Sequence, residues 1–273
     1  MLPNAFAISI GGIMNRITAK DNPLIKHIKK LLKSAKYRRE SGEFVAEGVR
    51  LCEDALLSDA EITALIVSET ALKKYADIIN KISQNINSFN VVSNSLFSSL
   101  SDTKSPQGVL CVIKTLDKST LFDKIKDNGK FLALDNVQDP SNLGTIFRTA
   151  EAVGIDGIVM SKDCCDIYSP KVVRGSMGAV FRIPYIITDT IEEFIKANSE
   201  LNSYASVVDR NAVKITDVSF GTPCIVAIGN EGNGLKESTI NACDSSFTIP
   251  MKGRAESLNA AVAASIIIWE LVK

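Results

Sequence analysis

From Phe131 onward the sequence alternates short apolar runs with amphipathic stretches. Strands are expected at Phe131–Val137, Gly157–Ser161, Arg182–Thr188, Tyr204–Asp209, Pro223–Gly229 and Ser246–Pro250. Helices are expected between and after them, at Leu143–Val153, Ser169–Met177, Thr190–Asn198, Leu235–Ala242 and Ala255–Val272. Regular alternation of this kind restricts a chain to an α/β architecture, a mostly parallel sheet covered by helices. Sheets of that type bind ligands beyond the C-terminal ends of their strands. The residues that follow each apolar run are therefore the first place to look for chemistry.

A smaller α/β unit precedes this one. Its expected strands are Glu43–Glu47, Ala64–Ser68, Asn90–Val92 and Val109–Lys114, with helices at 21–36, Val49–Leu57, Glu69–Lys81 and Ser95–Ser101. In the first helix Asp21 or Asn22 can cap, Pro23 suits the first turn, and Leu24, Ile25, Ile28, Leu31 and Leu32 form an apolar face. Lys26, Lys29, Lys30, Lys33, Lys36, Arg38 and Arg39 follow with no acid among them until Glu40. Such a run is either a solvated face or a surface for phosphates. The polar stretch 116–129, with Asn128-Gly129, reads as a linker, giving a first domain at 14–115 and a second at 130–273. Residues 1–13 read as a disordered tail.

Charge does not announce a partner, because 31 basic residues balance 31 acidic ones. A nucleic-acid surface would have to come from local clustering. Six cysteines without a C-x-x-C pair, and a single histidine, His27, argue against a zinc site and against Ser-His-Asp or Cys-His catalysis. His27 itself reads as a surface or RNA-facing group. Free thiols fit a reducing cytoplasm, no metal is expected, and no apolar run is long enough to span a membrane.

Three segments at strand ends carry the chemistry. Leu134–Gly154 runs from a strand through Asp139-Pro140-Ser141-Asn142 into a helix with Arg148 six residues after Asn142. Its neighbours Ile146, Phe147 and Ala150 suggest a buried arginine, either salt-bridged or facing an anion. Pro223–Leu235 empties a strand into a loop with Gly229, Gly232 and Gly234, where backbone can approach a ligand closely. Neither G-K-[ST] nor G-x-G-x-x-G is present. Glu231 in this loop can accept from hydroxyls or pair with Arg148. Phe247–Lys273 places Ile249-Pro250-Met251 at a strand end and Ser257-Leu258-Asn259 before an almost wholly apolar helix. That helix should be buried, and Ser257 is a candidate cap.

Taken together, N-x-G-x-x-x-R-T-A (Asn142–Ala150), G-N-E-G (Gly229–Gly232) and I-P-M…S-L-N-x-x-x-A (Ile249–Ala263) resemble the SpoU, or TrmH, class of SPOUT RNA 2′-O-ribose methyltransferases. The N-terminal unit resembles that family's ribosomal-protein-like RNA-binding domain, through Asn22–Lys26, Phe44–Gly48 and Pro106–Val109. The resemblance implies a catalytic domain with a deep C-terminal trefoil knot, a rare topology, and a homodimer whose final helix packs between subunits. It implies S-adenosylmethionine as cofactor, held by Gly229, Asn230, Glu231, Ile249, Pro250, Met251 and Leu258. It places Asn142, Arg148, Glu231, Ser257 and Asn259 in the catalytic site. RNA, ribosomal rather than transfer RNA, would meet Lys26, Lys29, Lys30, Lys33, Arg38 and Arg39, with Arg50, Arg174, Arg182 and Arg254 in support. Two other readings compete: a non-catalytic RNA-binding or ribosome-assembly factor on the same scaffold, and a small-molecule enzyme of dinucleotide-binding type, against which the missing G-x-G-x-x-G speaks.

Overall fold

The computed structural model describes residues 13–86, 88–101, 103–118 and 128–273. The expected tail falls, up to residue 12, outside the described residues, as do positions 119–127 of the expected linker, whereas Ile13, the last residue of that tail, lies in a strand and pairs with Ser88. The chain divides into two compact units, one running to Leu116 and including Tyr168–Pro170, the other containing the rest.

The first unit runs β1 (Ile13–Ile17), α1 (Pro23–Lys33), α2 (Ala35–Ser41), β2 (Glu43–Glu47), α3 (Val49–Leu57), β3 (Ile62–Ser68), α4 (Glu69–Lys74), α5 (Ala76–Ser83), β4 (Ser88–Val92), α6 (Asn94–Ser98) and β5 (Val109–Lys114). Its sheet has the order β1-β4-β3-β5-β2, parallel on the β1-β4-β3 side and antiparallel around β5. Asn22 caps α1 by accepting from the Leu24 N–H, with Pro23 in the first turn. Ile25, Ile28 and Leu31 project from α1 into a core shared with Val45, Ile66 and Val112. Burying each such side chain contributes about 1.5–3 kcal/mol.

Two expected helices are broken. The helix expected over 21–36 stops at Lys33, because Ser34 takes an extended conformation and caps α2 through the Tyr37 N–H. The helix expected over Glu69–Lys81 divides at Tyr75. The first break turns the Arg38 guanidinium inward. Arg38 is 5% exposed and donates to the Leu31 carbonyl, so it leaves the basic face. His27 is likewise drawn in, hydrogen-bonded to Tyr37 Oη and Glu43 Oε2, each at 2.9 Å. Lys26, Lys30, Lys33 and Arg39 remain exposed, and Lys29 is half-buried.

The second unit runs β6 (Lys130–Leu134), α7 (Pro140–Val153), β7 (Gly157–Ser161), α8 (Pro170–Gly175), α9 (Ala179–Arg182), β8 (Tyr185–Thr188), α10 (Ile191–Ala197), β9 (Asn202–Ser206), β10 (Val213–Lys214), β11 (Cys224–Ile228), α11 (Glu237–Ala242), β12 (Ser245–Thr248) and α12 (Ala260–Val272). Its seven described strands lie in the order β10-β12-β9-β11-β6-β7-β8, and every described pairing is parallel. The strand expected at Arg182–Thr188 starts only at Tyr185. Arg182 closes α9 and pairs with Glu151 at 2.8 Å, so its guanidinium is already committed to a carboxylate.

The connection after β6 goes to β7 on one side, whereas the connection after β11 goes to β12 on the other. The crevice between the C-terminal ends of β6 and β11 is thus a topological switch point, the place where open parallel sheets take ligands. The N-terminus of α7 stands over it. An added Cβ on Gly144 would lie 3.0 Å from the Gly175 backbone, so this glycine lets α7 and α8 meet backbone to backbone.

Candidate active site at the strand switch point

The loop after β6 is held by short polar bonds. Asp135, 2% exposed, accepts from Thr239 Oγ1 at 2.7 Å and faces Lys236 Nζ at 3.6 Å. Asn136 has φ of 60° and donates its N–H to Ser161 Oγ. Asp139 caps α7, accepting from the Ser141 and Asn142 N–H groups at 2.7 and 3.1 Å. The Asn142 and Ser141 donors hold the Asp139 carboxyl below its usual range, against the opposing effect of burial.

Glu231 reaches across from the loop after β11. Its carboxylate accepts from the Gln138 N–H at 3.1 Å, the Asp139 N–H at 3.0 Å and Asn142 Nδ2 at 2.9 Å. Asn142 is 7% exposed, and its Oδ1 accepts from Asn259 Nδ2 at 2.9 Å. Asn259 Oδ1 in turn accepts from the Ala261 and Val262 N–H groups and caps α12. Three segments far apart in sequence are therefore joined as Glu231–Asn142–Asn259. The expected Glu231–Arg148 pair is not formed, because backbone N–H groups and Asn142 occupy the carboxylate. The helix expected from Ala255 starts at Ala260, with Asn259 rather than Ser257 as its cap.

Burial alone would push the Glu231 carboxyl up. The donors from Asn142, Asp139 and Gln138 outweigh it and hold the group below the usual glutamate range. A carboxyl lowered on folding adds stability above its unfolded-state pKa, and that contribution is lost as pH falls through the folded value. Below about pH 4, wild-type protein is expected to lose more stability than Glu231→Gln. Chemical denaturation across the acid range measures this, and equal losses would mean that the bonds to Glu231 do not form in solution.

Arg148 lies on an exposed face of α7, not in the core, and makes no hydrogen bond or ion pair among the described residues. Ile146, Phe147 and Ala150 flank it in sequence but point to the other side of the helix. Cys164 and Cys165 sit beneath the loop. Burial raises both thiols, and with Cys164 and Glu231 nearby Cys165 is pushed up to about 12. Neither supplies a thiolate near neutral pH.

Beside this cluster is a cavity of about 650 Å³, bounded by the ends of β9 and β11 and the segment between β12 and α12. Gly229, Asn230, Glu231, Ile249, Met251, Ser257 and Leu258 line it, whereas the exposed Pro250 does not. The loop after β11 is pinched: Asn230 and Gly234 exchange two backbone hydrogen bonds of 3.0 Å, and an added Cβ on Gly229 would fall 2.2 Å from the Gly234 carbonyl carbon. Sequence reasoning missed Val207, Val208 and Asp209 after β9, and Glu256, which also line the cavity. Among the described residues no cluster of His, Cys, Asp and Glu could hold a metal ion. No helix among them is long and apolar enough to cross a membrane.

The sequence matches two family models, the SpoU rRNA methylase family over residues 129–269 and the MRM3-like substrate binding domain over residues 22–111. It is 30% identical to the 23S rRNA (guanosine(2553)-2′-O)-methyltransferase RlmP of Bacillus subtilis, over 94% of this chain and 99% of that one. It is 28% identical to the 23S rRNA (uridine(2479)-2′-O)-methyltransferase of Streptomyces viridochromogenes, over 94% and 92% of the two chains. Among solved structures it is similar to the AdoMet-bound rRNA methyltransferase from Sinorhizobium meliloti, with TM-score 0.84 and 30% identity over 94% of this chain and 97% of that one.

Proposed function

Because the chain belongs to the SpoU rRNA methylase family, we propose that it transfers the methyl group of S-adenosylmethionine to a ribose 2′-hydroxyl of ribosomal RNA. The observation that carries this reading is the hydrogen-bonded series Glu231–Asn142–Asn259, which unites three motifs beside a cavity of cofactor size.

The cavity fits the cofactor. About 650 Å³ lies within the range of roughly 300–1,000 Å³ typical of small-molecule sites. Leu235, Ile249 and Leu258 offer apolar walls for an adenine, and the missing side chain at Gly229 lets the loop after β11 fold back on itself, with the Gly234 backbone where a Cβ would stand. When bound, S-adenosylmethionine supplies a methyl group already activated as a sulfonium. The remaining work is placement. Asn142 and Asn259 fix the N-termini of α7 and α12, and Glu231 fixes the loop after β11 against the loop after β6. Arg148 is permanently protonated, so its task is to hold the target phosphate and stabilise negative charge on the attacking oxygen. The hydroxyl proton leaves to phosphate or water. Ser257, on the cavity wall, orients the target ribose.

In the first domain, residues 14–115, RNA would meet the exposed side of α1 through Lys26, Lys29, Lys30 and Lys33, with Arg39. Neutralising Lys29, Lys30 and Lys33 together is expected to weaken RNA binding and to lower the slope of log affinity against log salt by up to ~0.7–0.9 per lost phosphate contact. An unchanged slope in filter-binding titrations would return these lysines to a purely solvated face.

Within the second domain, residues 130–273, the family resemblance supports a trefoil knot formed by the segments around motifs two and three. A homodimer is supported by α12, which is not wholly buried as its composition led us to expect. Val262 is 49% and Trp269 62% exposed, on one stripe with Ile266. A sedimenting species of single-chain mass would rule the dimer out. Free cysteines and an RNA substrate support a cytoplasmic setting.

The deciding experiment is transfer of labelled methyl from S-adenosylmethionine to unmodified ribosomal and transfer RNA, followed by digestion to nucleosides. A labelled 2′-O-methylnucleoside from ribosomal RNA is expected. Label only in a base, or only in transfer RNA, would overturn the assignment, and cofactor binding with no transfer to any RNA would favour an assembly factor.

A further inference from the structure

The cavity beside the Glu231 cluster has a one-sided charge. Among the described residues its wall carries three carboxylates, Asp209, Glu231 and Glu256, and no lysine, arginine or histidine. Glu231 is committed to the Gln138 and Asp139 N–H groups and to Asn142. The other two are not used by the chemistry described above. Asp209 follows β9 and accepts a hydrogen bond from the Asn211 N–H at 2.8 Å, which leaves its second oxygen free for other donors. Glu256 lies in the segment before α12 and has no hydrogen bond or ion pair among the described residues. Arg210, Lys252 and Arg254 are their neighbours in sequence but do not line the cavity.

We infer that Asp209 and Glu256 make this cavity charge-selective, so that it prefers the cationic methyl donor to the product of zero net charge that remains after transfer. The inference rests on the reading of the cavity as the S-adenosylmethionine site. The donor bears a sulfonium, an ammonium and a carboxylate, and so one net positive charge. In the reaction the hydroxyl oxygen forms a bond to the methyl carbon, the carbon–sulfur bond breaks with its electron pair going to sulfur, and the hydroxyl proton passes to solvent. The product is a neutral thioether with no net charge. A wall of carboxylates attracts the first species more strongly than the second, which keeps only a balanced ammonium and carboxylate, so the same step that transfers the methyl group weakens the attraction that held its carrier. Both carboxylates are solvent-exposed, so the preference is screened by salt.

Calorimetric titration of the full chain with S-adenosylmethionine and, separately, S-adenosylhomocysteine tests this. The wild-type protein is expected to favour the donor, and the ratio of the two dissociation constants should fall roughly three- to tenfold in the double variant Asp209→Asn, Glu256→Gln. High salt should produce a similar fall in the wild-type protein, and Asp209→Glu, which keeps the charge, should preserve the ratio. An unmoved ratio in the double variant overturns the proposal, whether both affinities are retained or both decline in parallel as a structural defect would make them. Failure of the wild-type protein to bind either ligand is a different result, and overturns the cofactor reading itself.

Discussion

Arg148→Ala is expected to lower the rate of methyl transfer by roughly 10²–10³-fold, the usual cost of removing one preorganised group that stabilises developing negative charge. The reason lies in what Arg148 does not do. A structural arginine would be paired, and this one stands exposed on α7 with no partner among the described residues. Its helix is anchored by the Asp139 cap and by Asn142, so the side chain leaves a fixed platform. It does not line the cavity, so cofactor affinity should be unchanged in the variant. Arg148→Lys should recover only part of the rate, because an ammonium keeps the charge but loses the two-pronged geometry suited to phosphate. Single-turnover kinetics with a saturating RNA substrate measure the effect. Wild-type turnover in Arg148→Ala would remove the residue from the reaction.

Gly229→Ala should abolish cofactor binding and destabilise the second unit by about 1–3 kcal/mol or more, as overpacking does. The new methyl would lie 2.2 Å from both the Gly234 carbonyl carbon and the Leu235 nitrogen. These are backbone atoms, and the paired hydrogen bonds between Asn230 and Gly234 hold them in place. Relief is possible only by opening the loop that forms the cavity wall. Gly232→Ala is the control, because its nearest obstacle is Asn230 Oδ1 at 3.6 Å. Thermal denaturation and ligand titration of the two variants should therefore diverge. Normal cofactor affinity in Gly229→Ala would show that the loop is more pliant than its bonding suggests.

Much of the architecture was legible because strands buried on both faces read as uninterrupted apolar runs. Glu43–Glu47, Val109–Lys114 and Gly157–Ser161 have the boundaries expected of them. Strand β1 was not legible, since four of its five residues are exposed and it carries no alternation. Ser34 broke a helix whose apolar periodicity continued through the break, because its side-chain cap outweighed the pattern, and Tyr75 divided another without any side-chain cap. Arg148 was expected in the core because of its neighbours in sequence. On a helix adjacent residues point in different directions, and the arginine follows its own face outward. The motifs identified Asn142, Glu231 and Asn259, but not how they bond to one another. Gly144 was visible only as a letter in a motif until Gly175 was found against it. Asp209 was hidden in a strand expected to run through Tyr204–Asp209, whereas β9 ends at Ser206 and the following residues turn to the cavity.

The bond from Asn259 to Asn142 also orders events in time. A ribosome makes the chain from one end, and Asn142 emerges 117 positions before the residue that completes its pairing. Until Asn259 arrives, Asn142 Oδ1 lacks this partner, and α12 lacks the cap that starts it. A nascent or prematurely released chain therefore holds the first two motifs without a finished site between them. Contacts so distant in sequence form slowly, so competence for methyl transfer should be among the last properties gained during refolding, after most secondary structure is in place.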